Sequence, residues 1–349
     1  MIKKFLKWLA GILALFVLVV TSYIAYLFID YHRLEDNLVL EVTNQTEQEE
    51  FTTGETYSMM TFNIGYGSYP SDYSFFMDGG DEVRARSQEA VEEALSIDKE
   101  LIASANPDLI LFQEVDVDGD RSQHVNQVGY FTQKFDNYSW SFAQNYDSSY
   151  LFYPVTDPIG QATSGLLTLS KINFQEATRY QLPIDTDINK FFDLDRAYSV
   201  NRYGTNSGAD LVVINVHLSA YTKNASIQKA QLKKISQTME SEYAKGNYVI
   251  VGGDFNHALD DNARNDLTWM KTFPVDQLPQ GFTVVTSNNA PTVRNIDEAY
   301  NPDTTLTGII DGFILSDNVT MQEVETLSNE FASSDHNPVV MQFSLTSTQ

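Results

Sequence analysis

The chain of 349 residues contains no cysteine. Disulfide bonds and thiolate metal sites are therefore excluded. Any metal ion that this protein binds must be held by oxygen or imidazole ligands. Such ligands favour hard ions such as Mg²⁺ or Mn²⁺.

Basic residues are also scarce. The sequence has 22 Lys and Arg against 47 Asp and Glu, which gives a formal net charge of -25 at pH 7. A nucleic-acid-binding protein usually has a basic face, and no cluster of Lys or Arg is visible here. The composition therefore disfavours a nuclease. It does not exclude one, because a bound metal ion neutralises an acidic site locally.

Charge is absent from the run Trp8 to Ile29, which follows three lysines in "MIKKFLK". At about 1.5 Å per residue, a helix over this run crosses the roughly 30 Å hydrocarbon core of a membrane. We expect residues 1–7 to be a cytoplasmic tail and residues 8–29 a transmembrane anchor, with the rest of the chain outside the cell membrane. A cleaved signal peptide is the alternative. It is disfavoured because the apolar run is long and no small-x-small cleavage site follows it.

The remainder divides into a short polar segment and a long folded region. Residues 30–56 are polar and acidic and predict a stalk or linker, with at most one edge strand. Residues 57–349 alternate short apolar runs, rich in Val, Ile and Phe, with two patterns of helical spacing, at 91–105 and 226–245. Strands with few helices indicate an α/β fold in which two mixed β-sheets form a sandwich flanked by helices.

Polar side chains occur where several predicted strands end or meet a turn. One such residue is unremarkable, whereas this many indicate a site at one rim of a sheet. They are Asn63, Glu114, His217, Asp254, Asn256, Asp311, Asp335 and His336.

The motifs around these residues resemble those of the endonuclease/exonuclease/phosphatase superfamily, which includes DNase I-like nucleases, neutral sphingomyelinases and inositol-polyphosphate phosphatases. The motifs "TFNIG", "LFQEVD", "INVHLSA", "GGDFN", "IIDGFIL" and "SSDHNPV" occur in the order of that superfamily, over roughly residues 57–345. The resemblance implies a four-layer α/β sandwich and metal-dependent hydrolysis of a phosphate ester.

The resemblance also implies roles for the residues. Asn63, Glu114 and Asp335 are expected on the metal side, with Mg²⁺ or Mn²⁺ as the ion. His217, Asp254, Asn256, Asp311 and His336 are expected to be catalytic, with Asp311 orienting His336. Asp254 and Asn256 are two residues apart and should face the same way if the chain is extended. A turn aspartate and a surface histidine are the plainer interpretation of Asp335 and His336.

Three further residues are candidate substrate contacts. Arg121 and His124 lie in "DVDGDRSQHVNQ", which begins like a Ca²⁺-binding EF-hand loop but lacks the required glycine and final glutamate. Arg196 either binds phosphate or pairs with Asp193 or Asp195. The apolar loop "FFMDGG" either contacts lipid or folds inward.

The predicted function is a membrane-anchored, outward-facing, metal-dependent phosphoesterase. Its substrate is a phospholipid headgroup, a small phosphodiester or a nucleic acid, and no obligate protein partner is evident. The alternative is a catalytically inactive surface binding module with the same fold. Substitution of one or more motif residues would favour that alternative, but all of them are present.

Overall fold

Two β-sheets packed face to face occupy the centre of the protein, and helices cover their outer faces. The computed structural model describes residues 1–220, 225–260, 267 and 269–346. Within them the α-helices are α1 (Ile2–Asp30), α2 (Gln88–Ala105), α3 (Gln127–Lys134) and α4 (Ala225–Tyr243). Short 3₁₀ turns occur at Gly65–Gly67, Phe76–Asp78, Asp120–Ser122, Ile188–Phe191 and Val275–Gln277.

The first sheet is mixed. Its strands are β1 (Leu38–Val39), β3 (Glu50–Phe51), β8 (Glu176–Gln181), β9 (Ala197–Thr205), β10 (Leu211–His217), β11 (Tyr248–Asp254), β14 (Phe282–Val285) and β17 (Asp311–Ser316). They run in the order β1-β8-β9-β10-β11-β17-β14, with β3 added beside β9. The pair β10–β11 is parallel, and β17 runs antiparallel to β11.

The second sheet is also mixed. Its strands are β2 (Val42–Thr43), β4 (Thr56–Asn63), β5 (Leu109–Gly119), β6 (Ser139–Asp147), β7 (Ala162–Ser170), β18 (Val319–Thr326) and β19 (Val339–Leu345). Their order is β18-β19-β4-β5-β7-β6-β2, and β4 runs parallel to β5. Two small ribbons are formed by β12 (His257–Ala258) with β13 (Lys271–Thr272) and by β15 (Val293–Arg294) with β16 (Thr307–Gly308).

Three apolar layers hold these elements together. Residues such as Met59, Leu111 and Val213 fill the space between the two sheets. One helix, α4, covers the first sheet, where its buried residues Leu232, Ile235 and Met239 pack on the strands. Helices α2 and α3 cover the second sheet. The predicted four-layer α/β sandwich is thus confirmed.

Residues 30–56 differ from the expected stalk. Strand β1 pairs with β8, β2 pairs with β6, and β3 pairs with β9, so this segment adds edge strands to both sheets. Phe51 is fully buried between the sheets, and the Arg33 guanidinium donates hydrogen bonds to the carbonyls of Leu182 and Asp195. A polar composition concealed these contacts because the edge strands need only a few apolar side chains, while backbone groups provide the rest of the pairing.

Helix α2 buries one carboxylate, that of Asp98. The residue is fully buried, and neither carboxylate oxygen makes a well-formed hydrogen bond. Burial raises the pKa of Asp98 to about 8, and the nearby Ser333 hydroxyl offsets this only partly. Asp98 is therefore protonated in the folded protein at neutral pH.

We expect Asp98→Asn to remove a pH-dependent loss of stability. The folded-state pKa of about 8 lies above the unfolded value of about 4, so the folded protein holds a proton that the unfolded chain releases. Wild-type stability should fall as pH rises from about 4 to about 8, by about 5 kcal/mol in all. The free energy of unfolding of the Asp98→Asn variant should change much less with pH over that window. Denaturant unfolding in detergent measures it. Glu93→Gln, an exposed change on the same helix, should follow the wild-type curve, and an Asp98→Asn curve parallel to wild type would contradict the assignment.

Candidate functional site

A cleft of about 460 Å³ opens where the ends of the central strands of both sheets meet. Strand β4 ends at Asn63, and β10 and β11 end in register at His217 and Asp254. Asp311 differs from the expectation in one respect, because it begins β17 instead of following a strand. Since β17 is antiparallel to β11, Asp311 lies directly opposite Asp254. The cleft is lined by Glu114, His217, Asp254, Asn256, Asp335 and His336, among others.

Glu114 reaches the cleft because strand β5 is irregular at this point. The pairing of β5 with β7 shifts between Phe112 and Val115, and Glu114 has a φ of +57°, which is left-handed backbone. β-Bulges of this kind turn a side chain away from its regular direction and are common beside active sites. Burial, and next the Asp335 carboxylate, raise the pKa of Glu114 to about 7.

Asn63 links the two sheets at the floor of the cleft. Its amide nitrogen donates to Oδ2 of Asp254 at 3.0 Å, while its Oδ1 accepts from the Gly65 backbone N–H at 3.0 Å. This orientation turns the nitrogen toward the carboxylate of Asp254, so Asn63 orients Asp254. The expected support of a metal ion by Asn63, directly or through water, stays a prediction. Gly65 is required here because its φ is +52° and a Cβ would lie 2.9 Å from Oδ1 of Asp335.

Asp254 is held on both sides. Its Oδ1 accepts from the Asn256 backbone N–H at 2.9 Å, and its Oδ2 accepts from Asn63. Burial, and next the Asp311 carboxylate, raise the pKa of Asp254 to about 7. The preceding Gly253 has a φ of +152°, and a Cβ there would lie 2.0 Å from the Val216 carbonyl oxygen, so only glycine fits.

Asn256 faces the cleft for a different reason from the one expected. Its φ is +50°, so the chain is not extended between Asp254 and Asn256, and their shared direction does not come from strand alternation. The Asn256 amide nitrogen donates to the Leu218 carbonyl at 2.8 Å. This bond fixes the side chain at the cleft wall, next to Asp254.

His336 and Asp311 form a buried pair. His336 Nδ1 lies 2.9 Å from Asp311 Oδ2, and His336 Nε2 lies 3.8 Å from Asp254 Oδ2. Burial alone lowers the pKa of His336, but the carboxylates of Asp311 and Asp335 outweigh it and raise the pKa well above its ordinary value. The imidazole is thus oriented through one nitrogen and leaves the other on the cleft side.

His217 is the neutral histidine of the site. Burial, and next the positive charge of Arg196, lower its pKa well below the ordinary value. Its Nε2 lies 3.6 Å from Glu114 and 3.5 Å from Asp254. Its Nδ1 is buried without a hydrogen-bond partner among the described residues, as is Oδ1 of Asp311.

The donor set fits a divalent cation. In the described part of the chain, no Lys or Arg lies within ion-pair distance of Glu114 or Asp254, and imidazoles are their nearest basic groups. Buried carboxylates that repel one another in this way are stabilised by a bound cation. A second group, Asp254, Asp311 and His336, has its ligand atoms within 4.8 Å of one another. Within this group His336 Nδ1 and Asp311 Oδ2 are already bonded to each other, which leaves Glu114 and Asp335 as the candidate metal ligands outside it.

The three candidate substrate contacts have separate outcomes. His124 does not line the cleft. It is exposed, and its Nδ1 lies 2.7 Å from Oδ1 of Asp118. Arg121 lines the cleft, but Asp116 takes two of its donors, at 2.9 and 3.2 Å. Both residues are paired with aspartates of their own loop, so Arg121 lies at the cleft but is held within the protein, whereas His124 lies outside the cleft.

Arg196 is positioned better for a substrate. It lines the cleft, and its guanidinium lies 3.3 Å from the Asp193 carboxylate. The pairing with Asp193 is one of the two alternatives that the sequence left open. Arg196 also donates to the Leu218 carbonyl at 3.0 Å. Its Nε is buried without a hydrogen-bond partner in the described residues.

Part of the cleft wall was not foreseen. Arg294 is almost fully buried in the wall, where it donates to backbone carbonyls of the loop that carries Tyr69 and Tyr73. Tyr66, Tyr69 and Trp269 also line the cleft. The loop "FFMDGG" was the sequence signal for this wall: Phe75, Phe76 and Met77 all line the cleft, with Met77 largely exposed.

Known structures share this architecture. An endonuclease/exonuclease/phosphatase from Beutenbergia cavernae DSM 12333 superposes with a TM-score of 0.56 at 16% identity, over 83% of this chain and 72% of that one. The human Nocturnin catalytic domain, with a bound sulfate anion, gives 0.53 at 18% identity, over 88% and 98%. A family protein from Leptotrichia buccalis C-1013-b gives 0.56 at 14% identity, over 83% and 100%.

These likenesses establish the fold, and the sequence establishes the family. No curated protein sequence matches the chain significantly. The Endonuclease/Exonuclease/phosphatase family, by contrast, matches residues 60–336, which include every polar side chain of the cleft from Asn63 to His336. The chain therefore belongs to the endonuclease/exonuclease/phosphatase family.

Proposed function

We propose that this protein is a divalent-metal-dependent phosphodiesterase. Family members are generally hydrolases of phosphate esters and use divalent metals. One observation carries the proposal for this chain: two acidic side chains, Glu114 and Asp335, line the same cleft as His336, which is hydrogen-bonded to Asp311. Among the described residues, neither carboxylate forms an ion pair with Lys or Arg. We assign the two carboxylates to the metal ion and His336 to the substrate.

Some residues of this chain orient the reacting groups, and others transfer protons. Asp254, fixed by Asn63 and by the Asn256 backbone, orients the attacking water and accepts its proton. The water oxygen forms a new bond to phosphorus as the bond to the leaving oxygen breaks. His336, oriented by Asp311, donates a hydrogen bond to the phosphoryl group. Neutral His217 is placed to donate a hydrogen bond to another phosphoryl oxygen or to the leaving oxygen, and the leaving oxygen takes its proton from solvent.

Glu114 and Asp335 are the residues that would hold Mg²⁺ or Mn²⁺, and Asn63 supports them by fixing the neighbouring Asp254. When bound, the ion supplies Lewis-acid polarisation of the phosphoryl group. Mg²⁺ takes only one or two protein carboxylates and keeps several waters, which matches this small acidic set.

The protein is proposed to be anchored in the cell membrane. Helix Ile2–Asp30 is long and apolar enough to cross a membrane, and most of its side chains are exposed. With lysines at its start, residues 1–7 would be cytoplasmic, residues 8–29 would span the bilayer, and the catalytic domain would lie outside. The edge strands of residues 30–56 make them part of that domain, so its proposed boundary moves from residue 57 to about residue 31.

The proposal is tested with the purified full chain in detergent. The substrates are bis(p-nitrophenyl) phosphate, phosphatidylcholine, sphingomyelin, RNA and plasmid DNA, each with Mg²⁺, Mn²⁺ or EDTA. We expect turnover of at least one phosphodiester with either metal and none with EDTA. Absence of turnover on every substrate would support the inactive binding module, and turnover that persists in EDTA would exclude the metal site. Preferential cleavage of DNA or RNA would identify a nuclease despite the acidic surface.

A further inference from the structure

The outer end of helix α1 packs on the catalytic domain. Tyr23 Oη donates to the Tyr150 carbonyl at 3.1 Å, and the Tyr150 N–H donates to Tyr26 Oη at 2.9 Å. Leu27 is buried against Leu151 and Phe191. The helix therefore meets two loops, residues 148–160 and 187–194, which we call the rim loops.

These contacts give the depth of the rim loops relative to a membrane. If α1 crosses a bilayer from Trp8, about 20 residues reach Leu27, so Tyr23 and Tyr26 lie in the last outer turns of the span, where the hydrocarbon core meets the headgroups. The Phe152 ring lies 5.5 Å from the Tyr23 ring. Phe152 is therefore at the level of the lipid headgroups.

The rim loops expose apolar side chains at that level. Val155 is 84% exposed, Tyr153 65%, Phe152 and Ile188 56% each, and Phe192 49%. Large apolar residues gathered beside a membrane-length helix indicate a surface that contacts lipid. In water these side chains have no favourable environment, whereas the interface provides one.

The same two loops line the cleft. Leu151, Tyr153 and Ile159 come from the first rim loop, and Phe192, Asp193 and Leu194 come from the second. Across the mouth, the Tyr153 ring lies 5.7 Å from the ring of Phe76, which also lines the cleft. An apolar path thus leads from the exposed rim to the site of Glu114 and His336.

We propose that the rim loops sit in the headgroup layer and that the cleft takes its phosphodiester from an amphiphile in the same leaflet. This inference rests on the proposed function for its chemistry, but the membrane position of the rim does not. The phosphate would reach the polar floor while the apolar part stays against the aromatic wall. The net charge of -25 opposes a close approach to anionic lipids, so a zwitterionic headgroup is the expected class.

The position of the rim can be measured without any activity. Because the chain has no cysteine, Val155→Cys and Met321→Cys each create one labelling site for the fluorophore NBD. Met321 is exposed on β18, at the opposite edge of the second sheet from β6 and the first rim loop. In phosphatidylcholine proteoliposomes, a spin-labelled lipid should quench the label at residue 155 at least threefold more than the label at residue 321. Equal quenching would overturn the membrane position of the rim.

The substrate is tested by comparing two reactions in the same proteoliposomes. Phe152→Ser combined with Val155→Asp should reduce the release of choline or phosphocholine from phosphatidylcholine at least tenfold. Hydrolysis of bis(p-nitrophenyl) phosphate should stay within twofold, since neither residue lines the cleft. The control variant Met321→Asp should leave both rates unchanged.

The other outcomes separate the two proposals. Hydrolysis of the soluble diester without hydrolysis of lipid, or equal losses on both substrates, would overturn the amphiphile assignment and leave the phosphodiesterase standing. Failure of the wild-type chain on both of these substrates would overturn the amphiphile assignment, and failure on all five phosphodiesters assayed above would overturn the proposed function with it.

Discussion

Glu114→Gln is expected to remove metal-dependent turnover while leaving the fold intact. The amide keeps the shape of the side chain at the β5 irregularity but loses the charge that attracts a hard cation. We expect turnover at limiting Mg²⁺ to fall by at least about 100-fold, because changes even in the residues that support metal ligands commonly cost 10- to 100-fold. The measurement is the initial rate against Mg²⁺ concentration.

Metal binding to the same variant can be followed without activity. A ligand at 100 times its dissociation constant stabilises a protein by about 2.7 kcal/mol, so Mg²⁺ should raise the unfolding midpoint of the wild-type chain. The Glu114→Gln variant should lose that increase. Glu323→Gln, an exposed change on β18, should keep both the increase and the rate. An unchanged response to Mg²⁺ in Glu114→Gln would show that Glu114 is not a ligand.

His336→Ala is expected to lower kcat by about 10²- to 10⁴-fold, the usual share of a group that donates or accepts a proton in the reaction. In our assignment the His336 imidazole contacts the phosphoryl group and not the metal ion. Mg²⁺ should therefore still stabilise the His336→Ala variant against unfolding. Asp311→Asn should lose a comparable share of kcat because Asp311 orients the same ring at 2.9 Å. The exposed His124→Ala, outside the cleft, should stay within twofold of wild type.

The double variant decides whether His336 and Asp311 act together. Residues that act as one unit have non-additive effects, so the double variant should be little slower than His336→Ala alone. All three variants must be measured on one substrate at saturating Mg²⁺. Losses in kcat that multiply would mean that the 2.9 Å contact is not used in catalysis.

The set of site residues was accessible from the sequence, but the geometry of the site was not. Order of motifs and residue type were sufficient to name Glu114, Asp254 and His336. The left-handed backbone at Glu114 and Asn256 was not predictable, because non-glycine residues adopt it rarely and only where the surrounding structure compensates the strain. Asn63 was expected to support a metal ion directly or through water, and its contact with Asp254 depends on how closely two sheets approach.

Short-range patterns determined the elements, and long-range packing determined what they do together. The run Trp8 to Ile29, the short apolar strands and the helical spacing at 91–105 are local properties, so the sequence alone was enough to predict an apolar helix and a two-sheet sandwich. The attachment of residues 30–56 to both sheets, the hydrogen bond between Asn63 and Asp254, and the aromatic wall of the cleft all join residues far apart in the chain. Each of these depends on side chains that meet only after the two sheets have packed, and for that reason only the tertiary structure decided them.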